Sequence, residues 1–268
     1  MKGPFKFDSF PEFKETYLIV GWRNDTAMTA QKVINFLQER LDSRQFCRIE
    51  PANFFSFAGV AVEDDVARFP ESTFFYTARK DLLIFLSDQP DYEHYRFLSA
   101  LLDIAEDYCK IQQIYTISGM ISLSAHTAPR RIFMVFNKPE IKESLQDYGL
   151  EEMTWEGPPA INSYLLWIAQ KRGIPGISIW VEIPFYLAAN EDPSSIKLAL
   201  SFLNKRFDLD LSLEKFDIEI REQNEKIEWL RKGDSEIHQY ISFLESGMQL
   251  DEESQLKLVK EIYEVLKK

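Results

Sequence analysis

The sequence predicts an α/β protein: a mixed, mainly parallel sheet covered on both faces, followed by a C-terminal helical extension. Three observations carry that expectation. Short apolar runs rich in β-formers alternate with stretches of helical spacing, the order that builds parallel strands joined by crossover helices. The runs are nearly continuous in apolar residues, as strands buried on both faces require. After Leu211 the strand signals stop and three amphipathic helical patterns follow.

The elements can be justified in order. Residues 17–22 (YLIVGW) read as a buried strand. Residues 26–41 set Ala27, Ala30, Val33, Ile34, Leu37 and Leu41 at helical spacing, with Asn24 or Asp25 as the N-cap. Strands are predicted at 46–49 and 73–76. Residues 54–62, with Gly59 inside and Asp64-Asp65 after, read as a hairpin or excursion. Residues 81–86 form the clearest buried strand, ending at Ser87-Asp88-Gln89-Pro90. Residues 92–110 carry Tyr95, Leu98, Leu102 and Ala105 at helical spacing. Strands at 113–118 and 132–136 flank a polar loop. A helix over 161–172 is stopped by Gly173. A strand over 177–182 and a helix over 193–207, with Pro193 in its first turn, complete a core domain of residues 1–211.

Residues 212–268 form a separate helical tail. From 214 onward it holds 14 acidic and 9 basic side chains and no proline, and Gly233 and Gly247 cut it into three helices. The apolar stripes are Ile218, Ile227 and Leu230; Ile237, Tyr240, Ile241 and Leu244; and Leu256, Val259, Ile262, Tyr263 and Leu266. Such stripes need a partner surface, either the core domain or another subunit.

Composition narrows the function. The 268 residues carry a net charge of −12 and are 45% hydrophobic, which is globular rather than disordered. An acidic chain is a poor ligand for duplex nucleic acid or an anionic membrane. No stretch approaches the ~20 apolar residues of a membrane helix, and the first residues lack a secretion leader. Two distant cysteines, Cys47 and Cys109, fit a reducing cytoplasm.

Signature motifs are missing. No glycine precedes a lysine, and neither a Gly-x-Gly-x-x-Gly run nor a Gly-x-Ser-x-Gly elbow occurs. The histidines, His94, His126 and His238, are too scattered for a local metal site, and no cofactor is implied. What remains is positional, because ligands bind beyond the carboxyl ends of strands in open α/β sheets. Four such ends hold Trp22, Asn24 and Asp25; Asp88; His126, Thr127 and Arg130; and Glu182. A cleft built from them would suit a nucleoside, amino acid or other anionic metabolite, with His126 or Glu182 as the acid–base candidate, Arg130 pairing an anion and Trp22 stacking a ring. Each residue also has a structural reading. Asp25 suits a helix cap, Arg130 an ion pair with Glu182, Trp22 packing, and Gly157-Pro158-Pro159 a chain reversal. Together the structural readings describe a protein without an active site, and the balance leans away from an enzyme.

The same segments resemble the proteasome assembly chaperone family in its archaeal and bacterial branch. The resemblance rests on Leu18-Ile19-Val20-Gly21-Trp22, Ser87-Asp88-Gln89-Pro90-Asp91, Ser118-Gly119, His126-Thr127-Ala128-Pro129, Gly157-Pro158-Pro159 with the Ala160–Leu166 stretch after it, Gly173-Ile174-Pro175, Trp180-Val181-Glu182-Ile183-Pro184-Phe185-Tyr186 and Pro193. It covers about residues 16–211. It implies a three-layer α/β/α sandwich of the purine nucleoside phosphorylase type, self-association into trimers or larger rings, extra C-terminal helices, and a non-catalytic assembly or scaffold role. Gly157 joins the ligand-binding candidates here. Two departures stand out. The family's Gly-Trp-x-Asp-x-Gly turn is Arg23-Asn24-Asp25-Thr26-Ala27 after Trp22, so a side chain replaces the glycine near any phosphate. The family's docking tripeptide, hydrophobic-Tyr-any at the C-terminus, is matched only by the internal Ile262-Tyr263-Glu264, which disfavours direct proteasome docking through the tail.

Overall fold

The computed structural model describes residues 4–56, 61–63, 66–77, 81–154, 156 and 160–267. Gly157-Pro158-Pro159 and Asp64-Asp65 lie outside them. In chain order the elements are β1 (Phe5–Phe7), β2 (Thr16–Trp22), α1 (Thr29–Arg40), β3 (Arg44–Ile49), the hairpin β4 (Ala61–Glu63) and β5 (Val66–Arg68), β6 (Ser72–Thr77), β7 (Leu82–Ser87) and α2 (His94–Asp103). There follow β8 (Ile111–Ser122), β9 (Ile132–Phe136), α3 (Glu140–Glu143), β10 (Glu151–Glu152), α4 (Ile161–Lys171), β11 (Gly176–Pro184) and α5 (Pro193–Phe207). The last three helices are α6 (Glu214–Gly233), α7 (Ser235–Glu245) and α8 (Glu252–Lys267).

The fold is the three-layer α/β type. Among the described residues, nine strands form one sheet in the order β1-β3-β6-β7-β2-β8-β11-β9-β10. Its centre is parallel, with β2 between β7 and β8. Its β1-β3-β6-β7 flank is antiparallel. That flank is wider than strand–helix alternation alone implies. Strands β6 and β7 are joined by only four residues, 78–81, too few for a crossover, so the chain reverses there.

The chain divides into two compact units. The first is residues 1–23, 34–117 and 134–179; the second is residues 24–33, 118–133 and 180–268. The sequence boundary at 211/212 falls inside the second unit.

In the first unit, strand alternation turns Leu18, Val20 and Trp22 to one face, where they join Phe97, Leu98 and Leu101 of α2 and Leu165, Ile168 and Ala169 of α4 in a buried core. Each large apolar side chain withdrawn there contributes roughly 1.5–3 kcal/mol. Helix α2 closes in a π-helical turn over Ile104–Tyr108, so the predicted 92–110 helix ends less regularly than its spacing suggests. Cys47 and Cys109 are free thiols buried in this core. Burial pushes the Cys47 thiol up to about 12 and raises Cys109 as well.

In the second unit, the tail helices bury their stripes within the chain. Ile227 of α6, Ile237, Ile241 and Leu244 of α7, and Leu258 and Ile262 of α8 form one core with Ile183, Tyr186 and Leu187. Ile218 and Leu256, assigned to those stripes by spacing, are instead exposed, and Leu258 takes the buried position in α8. Gly247, at φ 75°, lets the chain turn after α7, and the Asp234 carboxylate caps α7 by accepting from the Glu236 and Ile237 N–H groups.

Candidate functional site

Of the described sequence candidates, Trp22 and Asp88 belong to the first unit and Asn24, Asp25, His126, Thr127, Arg130 and Glu182 to the second. Gly157 lies outside the described residues.

Trp22 is fully buried; its indole N–H donates to Asn162 Oδ1 at 2.6 Å and its ring packs edge-on to Phe85. No face is open for a ligand ring, so packing, not stacking on a ligand, is what its geometry serves. Asp88 Oδ2 accepts from Arg23 Nη1 at 3.3 Å and from the Glu71 N–H at 3.0 Å, which pins the ends of β2 and β7 to the loop before β6.

In the second unit Asp25 is the hub of a strained turn. Asn24, Ala27 and Met28 all have φ between 53° and 58°, conformations that non-glycine residues adopt at a cost. Asp25 holds the turn together: its carboxylate accepts from the Ala30 N–H at 3.0 and 3.1 Å and from the Gly119 N–H at 3.0 Å. It therefore supports the start of α1 from five residues upstream, a longer reach than an ordinary N-cap. Burial raises Asp25 to about 6, against the pull of those N–H donors. Gly119 is the other half of the joint. A Cβ there would stand 2.3 Å from Ile183 Cδ1 and 2.6 Å from the Thr26 carbonyl oxygen, so only glycine permits the approach. Asn24 is exposed.

Glu182 pairs with Arg131, not with Arg130. The Glu182 N–H donates to the Arg131 carbonyl across the β11–β9 ladder, and the guanidinium meets the buried carboxylate at 3.0 and 2.8 Å. Burial alone would raise Glu182; hydrogen bonds from Arg131, with Ser122 and Ser124 beside it, outweigh that and hold it below the usual carboxylate range.

Arg130 instead donates through Nε to Asp192 Oδ2 at 2.8 Å, and through Nη1 to the His126 and Ala128 carbonyls. Both side chains of the pair are almost fully buried, at 4% and 0% exposure. Asp192 also caps α5 through the Ser194 N–H, and the Ser195 hydroxyl lies 2.6 Å from its Oδ2. The His126 ring is 2.8 Å from the Tyr186 hydroxyl, which also accepts from the His126 N–H. Burial, reinforced by Arg130, lowers His126 to about 4, so the ring is neutral at physiological pH. Thr127 donates to Glu245, which in turn pairs with Arg231. Thr127 and Glu245 border an open cleft of about 510 Å³ between residues 123–128 and 244–249.

Sequence reasoning missed Arg131, Asp192 and Tyr186. Asp192 carried a signal, an Asp directly before the Pro193 that opens a helix. Arg131 and Tyr186 carried none, since their partners lie 51 and 60 residues away. Among the described residues, no group of three or more His, Cys, Asp or Glu is placed to hold a metal ion, and no helix is long and apolar enough to cross a membrane.

The sequence model of the PAC2 family matches residues 18–231. A search of curated proteins returns no match. Among solved structures, a proteasome-assembly chaperone homologue from Mycobacterium tuberculosis superposes with a TM-score of 0.72 at 16% identity, covering 84% of this chain and 100% of its own. The Pyrococcus furiosus protein PbaB, described as an archaeal proteasome activator, gives 0.71 at 18% identity, covering 84% and 97%. A Corynebacterium glutamicum protein of unknown function gives 0.78 at 16% identity, covering 91% and 96%. At these identities the likeness speaks for the fold.

Proposed function

We propose, from the premise that the chain belongs to the PAC2 family, that it acts as a non-catalytic assembly-chaperone-like or scaffold protein, working as a homo-oligomer in the cytoplasm. One observation carries the reading. The polar side chains at the strand ends of the second unit are taken up by their own chain: Asp25 by main-chain N–H groups, Glu182 by Arg131, Arg130 by Asp192 and His126 by Tyr186. A small-molecule site needs such groups aimed at a ligand. Here they fasten loops. The structural neighbours described as a proteasome-assembly chaperone homologue and a proteasome activator support a role exercised on other proteins. Free, buried thiols suit a reducing compartment.

Native mass spectrometry of the full chain, purified without added ligand, tests the reading. A ligand-free assembly of several chains is the expected result. A stoichiometric co-purifying metabolite, or a single chain at every concentration, would overturn it.

A further inference from the structure

Helix α6 is the least buried long element of the second unit; of its 20 residues only Phe216 and Ile227 are buried. Its outer face forms a shallow groove of about 580 Å³ lined by α6 residues alone. Trp229 is 72% exposed on that face. Among the described residues Arg221 makes no ion pair and Trp229 no ring contact.

The order of side chains along this face has a two-fold pattern. Counting inward from both ends, Asp217 matches Lys232 and Ile220 matches Trp229. Next, Arg221 matches Glu228, and at the centre Asn224 matches Glu225. Every acid on the outer positions meets a base, and the one aliphatic residue meets the aromatic one. In an isologous contact residue i touches j while j touches i, so two antiparallel copies of α6 centred between 224 and 225 would satisfy every pair twice. Residues 217 to 232 span about 23 Å of helix, which brings both outer ion pairs and both Ile–Trp contacts within one crossing.

From this pattern we infer that the outer face of α6 is a two-fold interface with a second copy of this chain. The inference deepens the homo-oligomer reading by naming the surface. Within one chain Asp217 pairs with Lys197, and Lys232 lies 3.5 Å from Glu228. These exposed pairs are weak and can share their charges with an incoming copy. Trp229 supplies the aromatic anchor typical of such contacts. A closed assembly with every α6 so paired contains an even number of chains.

The test uses the full chain, with mass followed by sedimentation velocity over a concentration series. Arg221→Glu alone and Glu228→Arg alone each place like charges opposite one another twice, and each should weaken self-association by about tenfold or more. Mixing the two variants should restore it. In the mixed pair the introduced acid at position 221 faces the introduced base at position 228, and the other contact is the native one between Arg221 and Glu228. A variant that had merely misfolded would not be rescued by mixing. Trp229→Ala should weaken association without any rescue. If the variants assemble like the wild type, the α6 interface is wrong while the homo-oligomer reading stands. If the wild type is a single chain throughout, both fall.

Discussion

Arg130 and Arg221 belong to the same structural unit and have opposite surroundings. Arg130 is 4% exposed as a side chain and meets Asp192 and two main-chain carbonyls. Arg221 stands on an exposed helix face. The strand-end charges are paired in buried surroundings, whereas on the α6 face the intrachain pairs of Asp217 and Lys232 are exposed and, among the described residues, Arg221 makes no ion pair. Two arginines of one unit thus differ by their surroundings and not by their chemistry. A buried charge with all its partners is a fastener, whereas exposed charges keep most of their freedom in water.

The largest expected effect attacks the fastener. Arg130→Ala leaves the Asp192 carboxylate buried beside a cap that has lost its cation, and should cost about 3–5 kcal/mol in urea denaturation. A variant as stable as the wild type would return Arg130 to the list of groups free to hold an anion.

A smaller effect sharpens the comparison through pH. Burial raises Asp25 from 3.8 to about 6, so the folded chain keeps a proton that the unfolded chain has released. Its contribution is full below the unfolded value and is lost as pH rises through 6. His126, lowered from 6.5 to about 4, works in reverse: its contribution is full above 6.5 and is lost as pH falls through 4. In the wild type these slopes oppose each other. Relative to it, Asp25→Asn should lose stability on acidification from pH 6.5 to 4, and His126→Gln should gain it, each by up to about 2 kcal/mol over the window. Denaturation midpoints at half-unit pH steps read both, and profiles parallel to the wild type would show that neither group titrates as its burial requires.

The smallest effect lies on α6. Ile218 is apolar but 49% exposed, so Ile218→Ser should change thermal stability by no more than about 0.5 kcal/mol. A larger loss would place Ile218 in a core that the chain alone does not show.

Much of the fold was legible. Continuous apolar runs marked β2 and β7, Pro193 marked the start of α5, and Gly233 and Gly247 divided the tail where α6 and α7 end. The short edge strands β1 and β10 were not legible, because two or three residues carry no period. Strand β8 runs past Gly119, where the sequence placed its end one residue earlier; that glycine serves close approach rather than a turn. The stripes at Ile218 and Leu256 failed because helical spacing gives a face but not its neighbour. The candidate residues were read from the polar ends of predicted strands. Their partners were invisible, since Arg130–Asp192 and Arg131–Glu182 join residues 62 and 51 positions apart.

The two-fold order along α6 has an evolutionary consequence. Positions 221 and 228 sit two turns apart on an exposed helix and have no cause to influence one another within a single chain. Across a two-fold contact they become neighbours, and any change at one is felt twice in each assembled pair. A sign reversal at 221 is then repaired most simply by a reversal at 228. Relatives that keep this contact should exchange the two charges together, leaving a signature of covariation between residues that never touch in one molecule.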